Sequence, residues 1–142
     1  MQPNPKITLG FYLAGAANIL GILTFSLAFT NSEMMRLSPR VFSSFGVLAV
    51  ILWGLAYLSV AKTYHHVPKL IAVFALEKLV YFITWLWWLY HHGAELPGLY
   101  TTAPLTANFY TLYGPLDLAF GLFFAAVAFR AKAKALNQQV RK

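Results

Sequence analysis

Four stretches of the chain stay apolar for about the length of a membrane crossing. A helix needs about 20 apolar residues to traverse the hydrocarbon core of a bilayer. Ile7 to Phe29 carries no charge and a single amide, Asn18. Val41 to Ala61 carries no charge. Leu70 to Tyr90 is apolar except for Glu77, Lys78 and Thr84. Tyr110 to Phe129 is apolar except for Asp117 and a polar residue or two at its outer end. The pattern predicts helices over about 7–29, 41–61, 70–90 and 110–129, joined by connections 30–40, 62–69 and 91–109. Short connections favour antiparallel neighbours. The expectation is an all-α fold: an integral-membrane four-helix up-down bundle, a single transmembrane domain over 1–142. Ser26-Leu27-Ala28 resembles a signal-peptidase site, but the apolar run before it exceeds the usual 7–15 residues of a signal-peptide core. A retained first helix is therefore expected.

Basic residues set the orientation of membrane helices. Lys6, Lys62, Lys69, Arg130, Lys132, Lys134, Arg141 and Lys142 fall on one side, against Arg36 and Arg40 on the other. This asymmetry places both termini in the cytoplasm, with 130–142 as a basic cytoplasmic tail. The net charge of +7 then reflects topology-fixing flanks near anionic lipid headgroups, and nucleic acid is not an expected partner. Only 11% of residues are charged, which leaves no stretch for a separate soluble domain. The absence of cysteine excludes disulfides and thiolate metal sites.

Small residues suggest where backbones meet. Gly10, Ala14, Ala17 and Gly21 form a stripe on the first segment, and Gly46 and Gly54 punctuate the second. Pro115 in the fourth predicts a kink or a late helix start. Trp85, Trp87, Trp88 and Tyr90 read as an interfacial belt with one or two rings turned inward.

The candidate chemistry lies inside the spans. A charge at mid-bilayer costs roughly 2.5–3.5 kcal/mol on insertion scales, so it is seldom kept without a partner or a task. A rise of 1.5 Å per residue places Glu77 roughly 12 Å from Lys69, Asp117 roughly 20 Å from Arg130, and Asn18 roughly 18 Å from Lys6. All three reach the middle of the bilayer and can share one cavity. Glu77 and Lys78 are adjacent and diverge by about 100°, so each needs its own partner. Glu77 shares a face with Tyr81, and its expected partners are Tyr81, Asn18 or a donor on the fourth helix. Lys78 either meets Asp117 or snorkels toward the headgroups. Asp117 shares a face with Tyr113, Gly114 and Gly121. Asn18, Trp53, Tyr57, Glu77, Lys78, Tyr81, Tyr113 and Asp117 are the expected ligand-binding set. Glu77 and Asp117 are also the candidate catalytic acid and base. The rival reading is structural: a Lys–Asp pair and an Asn–Glu hydrogen bond that only lock helices together.

His65-His66 and His91-His92 fall on opposite membrane faces and cannot form one four-histidine site. The first pair is expected in a solvated turn. His91 and Glu95 share a face if the third helix continues. No metal site and no cofactor are expected. The connection 91–109 is long for a bundle and reads as a lid or a plain interfacial loop. No GxSxG, HExxH, P-loop or dinucleotide fingerprint is present, nor a CxxC pair or an arginine ladder.

W-G-L-A-Y at 53–57, F-A-L-E-K-L-V-Y at 74–81 and Y-G-P-L-D at 113–117 resemble segments of small uncharacterised bacterial four-helix membrane proteins. The overall plan resembles the DoxX-like and EXPERA-type bundles. The resemblance covers the four-helix layout and acids inside helices. It implies a bacterial inner-membrane, multi-pass protein. The EXPERA group includes sterol isomerases and sterol-binding receptors with acids in a lipid-facing pocket. This chain lacks an acid in its first two helices, so no catalytic assignment carries over.

Three functions are weighed. The favoured one is binding or transfer of a lipid-like small molecule in a polar intramembrane pocket. The second is a membrane-embedded acid–base enzyme such as an isomerase. The third is an accessory subunit of a larger membrane complex, or a homo-oligomer, with a closed interior.

Overall fold

A computed structural model describes the backbone of residues 2–140 and the side chains through Ala133. The side chain of Lys134 and residues Arg141 and Lys142, which contribute to the basic tail, lie outside the described residues. The chain is all-helical: 85% is helix, with no strand among the described residues. Helix α1 spans Pro5–Phe25, α2 Ser32–Leu37, α3 Ser44–Val60, α4 Pro68–His92, α5 Leu96–Thr102 and α6 Pro104–Val140. Helices α1, α4 (continued through α5) and α6 are long and apolar enough to cross a membrane, and α3 is apolar but shorter.

Helix starts follow the side chains that can close a first turn. Asn4 accepts from the Lys6 N–H at 2.9 Å, with Pro5 as first helical residue. The Asn31 side chain accepts from Met34 N–H at 3.1 Å, and Ser43 Oγ from Gly46 N–H at 3.2 Å. Each cap supplies an acceptor to an amide that has no intrahelical partner. Pro68 and Pro104 open α4 and α6, where a missing N–H costs nothing.

Three expectations from hydrophobic pattern need correction. First, α1 stops at Phe25 rather than Phe29. Ser26 and Asn31 end it: the Ser26 carbonyl accepts from Thr30 and Asn31 N–H at 2.9 and 2.8 Å, and the Asn31 amide donates to the Phe25 carbonyl at 2.7 Å. Leu27, Ala28 and Phe29 then take left-handed φ values of 48°, 50° and 73°. That conformation costs roughly 1–2 kcal/mol per L-residue, so the closing hydrogen bonds must hold it. Second, the fourth helix begins at Pro104, not Tyr110, and runs through Pro115, so there is no late start. Third, the connection 91–109 is no loose loop. It holds a 3-10 turn at Gly93–Glu95, then α5, then the first turns of α6.

Glycines mark the closest helix approaches. A Cβ on Gly54 would lie 3.0 Å from the Gly15 carbonyl, so α1 and α3 meet backbone to backbone there. The expected stripe is therefore rotated: Ala14 and Gly15 are buried, Ala17 is exposed, and nothing lies within 4 Å of a Cβ on Gly21. Helix α6 packs along α4. Gly114 seats the Trp85 indole, and a Cβ on Gly121 would lie 3.2 Å from Lys78 Cβ.

The interior divides into two clusters. At the end that holds the chain's first residues, Phe11, Tyr57, Ile71, Phe74 and Phe124 pack together with Tyr64. At the opposite end, Phe42, Trp88, Leu99, Phe109, Tyr110 and Tyr113 pack under α2 and α5. Trp88 stacks on Tyr110 with ring centroids 4.1 Å apart, and Trp87 and Tyr90 remain exposed. The aromatic belt thus turns Trp88 inward. Outward-facing leucines are half exposed along α1, α3, α4 and α6.

Candidate functional site

The buried polar residues converge between the two clusters. Helix α1 contributes Asn18 from a π turn at Ala17–Gly21. A π turn carries an extra residue and re-aims the side chains after it, and such turns recur at functional sites. Asn18 is 7% exposed; its amide donates to the Val50 carbonyl at 3.2 Å. Its oxygen accepts from Lys78 Nζ at 2.8 Å.

Lys78 does not snorkel. It is 2% exposed, and its ammonium donates to Asp117 Oδ1 at 2.7 Å as well as to Asn18. Gly121, one turn beyond Asp117, lets α6 come close enough for this pair. The Tyr57 ring centroid lies 5.4 Å from Nζ.

Glu77 finds a partner that was not among those expected. Its Oε2 accepts from the Tyr57 hydroxyl of α3, and neither Tyr81 nor Asn18 donates to it. Tyr57 was read as lining a pocket; it lies behind the carboxylate instead. Glu77 Oε1 is buried without a hydrogen-bond partner, 4.0 Å from Lys78 Nζ. The Tyr113 hydroxyl is also buried and unpartnered.

Both residues help line one cavity of about 170 Å3. Asn18, Glu77, Lys78, Tyr81, Tyr113 and Asp117 contribute to its wall, along with Phe25, Phe42, Phe109 and Phe120. Trp53 does not: its ring packs edge-on against Phe74, with centroids 6.2 Å apart. The mouth is lateral. Ala17 on α1 and Leu112 and Leu116 on α6 line the cavity and are exposed, so it opens between these two helices.

Phe109, Leu112, Leu116 and Phe120 were missed in the sequence, although a signal existed. With Tyr113 and Asp117 they follow three- and four-residue spacing on one helix face. Placing the helix start at Tyr110 cut that stripe short. Phe42 carried no such signal, because it precedes α3 and reaches the cavity only through tertiary packing.

The histidines stay apart from this site. The His65 and His66 rings lie 4.0 Å from each other in a turn where His66 is exposed and His65 half-buried, with its Nδ1 covered. His92, and not His91, meets Glu95, at 2.7 Å, because the 3-10 turn changes the register after α4. Among the described residues no group of three or more His, Cys, Asp or Glu could hold a metal ion.

The arrangement can act in two ways. The Asn18–Lys78–Asp117 set is internally matched and closes α1, α4 and α6 on one another. The Glu77 oxygen and the Tyr113 hydroxyl are left to meet something else in a mostly apolar chamber. A buried polar atom without a partner costs roughly 1–3 kcal/mol. Compared with models of known protein families, with curated proteins and with solved structures, the chain matches none.

Proposed function

We propose that this is a multi-pass integral membrane protein that binds or transfers a lipid-like small molecule in a polar pocket between its helices. The reading takes α1, α3, α4 and α6 as an up-down four-helix bundle with both termini in the cytoplasm of a bacterial cell, at the inner membrane. Contacts at the two ends support the alternation. The Asn4 N–H donates to Tyr64 Oη at 2.9 Å at one end, and Asn31 bonds Thr106 at 3.0 Å at the other. Helix α3 has 17 residues, about 25 Å at 1.5 Å per residue, which a local thinning of the bilayer accommodates.

The observation that carries the reading is the cavity lined by Glu77 and Tyr113, whose Oε1 and hydroxyl have no hydrogen-bond partner. Ligand sites are mostly apolar with a few convergent polar groups, and this chamber has that character. The acid–base reading takes Glu77 and Asp117 as the groups that flank a substrate. Asp117 is held by Lys78 at 2.7 Å, which favours binding over that alternative. An accessory subunit of a larger complex would need no laterally open interior.

Native mass spectrometry with lipidomics, on protein extracted gently from its own membrane, tests the proposal. The expected result is a small molecule bound in stoichiometric amount and lost in Glu77→Gln, with the helical content retained. An empty protein whose variant melts at an unchanged temperature counts against the pocket. Co-purifying subunits would favour the accessory role.

A further inference from the structure

We infer that the ligand is a monocationic amphiphile, an alkyl amine or quaternary ammonium compound, that enters from the lipid between α1 and α6; this rests on the binding function proposed above. Charge bookkeeping within the cavity wall carries the inference. In their charged forms Glu77 and Asp117 bring two negative charges and Lys78 brings one positive, with no other charged residue in the lining. The Lys78 ammonium is committed to Asp117 at 2.7 Å and Asn18 at 2.8 Å, and stands 4.0 Å from Glu77 Oε1. Two carboxylates therefore share one ammonium, and Glu77 Oε1 receives no hydrogen bond, in a setting where an excess charge is costly.

The walls around it suit a cation. Phe42, Phe109, Tyr81 and Tyr113 border the same space. Aromatic faces attract ammonium groups, and most strongly where water is excluded. The Tyr113 hydroxyl, buried and unpartnered, adds an oxygen that can accept from an N–H. An anionic headgroup would add to the excess negative charge of the two carboxylates and be repelled. The mouth is bordered by exposed Leu112 and Leu116, on the flank of the helices, so the tail of such a molecule can stay in an apolar environment while its head reaches Glu77.

Three probes of equal chain length test the charge requirement: dodecyltrimethylammonium, dodecanol and dodecanoate, added to the intact protein in a non-ionic maltoside micelle. Native mass spectrometry counts bound probe, and the shift of melting temperature with concentration gives the affinity. The expected result is one bound dodecyltrimethylammonium, held about tenfold more tightly than dodecanol, with dodecanoate weakest. In Glu77→Gln the cation and the alcohol should become equivalent. Dodecanol binding as tightly as the cation to the unaltered protein, or a cation preference that survives in Glu77→Gln, overturns the cationic class and leaves the pocket standing. If no probe binds and the protein extracted from its membrane is also empty, the pocket itself fails. The comparison of probes on the unaltered protein decides the matter even where the variant does not fold.

Discussion

Rings pack both ends of this molecule, but only one end adds side-chain donors that reach backbone carbonyls across elements. At the end carrying the first residues, rings alone do most of the packing. Phe11 stacks on Tyr64 at 5.5 Å, and Tyr57, Phe74 and Phe124 meet one another at 4.8–5.6 Å between centroids. At the other end, side-chain donors reach backbone carbonyls across elements. Trp88 donates to the Leu37 carbonyl at 3.2 Å, Tyr110 to Met34 at 2.8 Å and Trp85 to Tyr110 at 2.7 Å. The difference follows from where helices stop. The second end contains the short helices α2 and α5 and the left-handed turn at Leu27–Phe29, so carbonyls such as those of Met34 and Leu37 lack intrahelical partners, whereas Trp85 reaches a carbonyl inside α6. Between the ends lies the polar set, where neither ring packing nor carbonyl capping suffices.

That middle layer should give the largest effect. Lys78→Met strands Asp117 and the Asn18 oxygen, and breaking a buried pair from one side costs about 3–5 kcal/mol. Replacing both partners, as Lys78→Met with Asp117→Leu, should restore part of the lost stability, because Asp117 is no longer stranded while Glu77 lacks its nearest cation in both variants. Denaturant titration of the protein in micelles measures both. A double variant as weak as the single one would mean that the pair itself, and not its imbalance, holds the helices.

The ring-packed end comes next. In lipid the transfer of a side chain out of water contributes little, and the penalty is mainly the void. At about 24 cal/mol per Å3, a ring-sized cavity from Phe74→Ala amounts to about 2 kcal/mol. The carbonyl-capped end should respond least per residue. Trp88→Phe keeps much of the stacking on Tyr110 and loses one hydrogen bond, about 1 kcal/mol. The same titration orders the two variants; a larger loss for Trp88→Phe than for Phe74→Ala would reverse the contrast between the ends.

Much of the secondary structure was legible along the chain, because apolar runs in which backbone groups must satisfy one another read directly as helices. Asp117 was one of two destinations foreseen for Lys78, the headgroups being the other, and the ammonium lies 2.7 Å from Asp117 Oδ1. Less legible were the ends. Apolar content continues through Leu27, Ala28 and Phe29, yet the helix has already stopped, because Ser26 and Asn31 offer hydrogen bonds that periodicity does not count. The inclusion of Trp53 and Tyr57 in the pocket failed for a related reason. Both lie on α3 at the right depth, but depth does not fix the rotation of a helix. Trp53 turned to Phe74 and Tyr57 to the far side of the Glu77 carboxylate.

The sequence by itself determined that the fold is helical, which segments are long and apolar, and that two acids, a lysine and an amide would have to be accommodated deep among them. Their axial positions follow from a fixed rise per residue. Only the tertiary structure decided which of them pair and which stay free. That outcome depends on helix rotation, on the π turn that aims Asn18 and on the glycine contacts that set how near the helices stand. These are properties of packed surfaces, and a one-dimensional pattern of polar and apolar residues does not carry them.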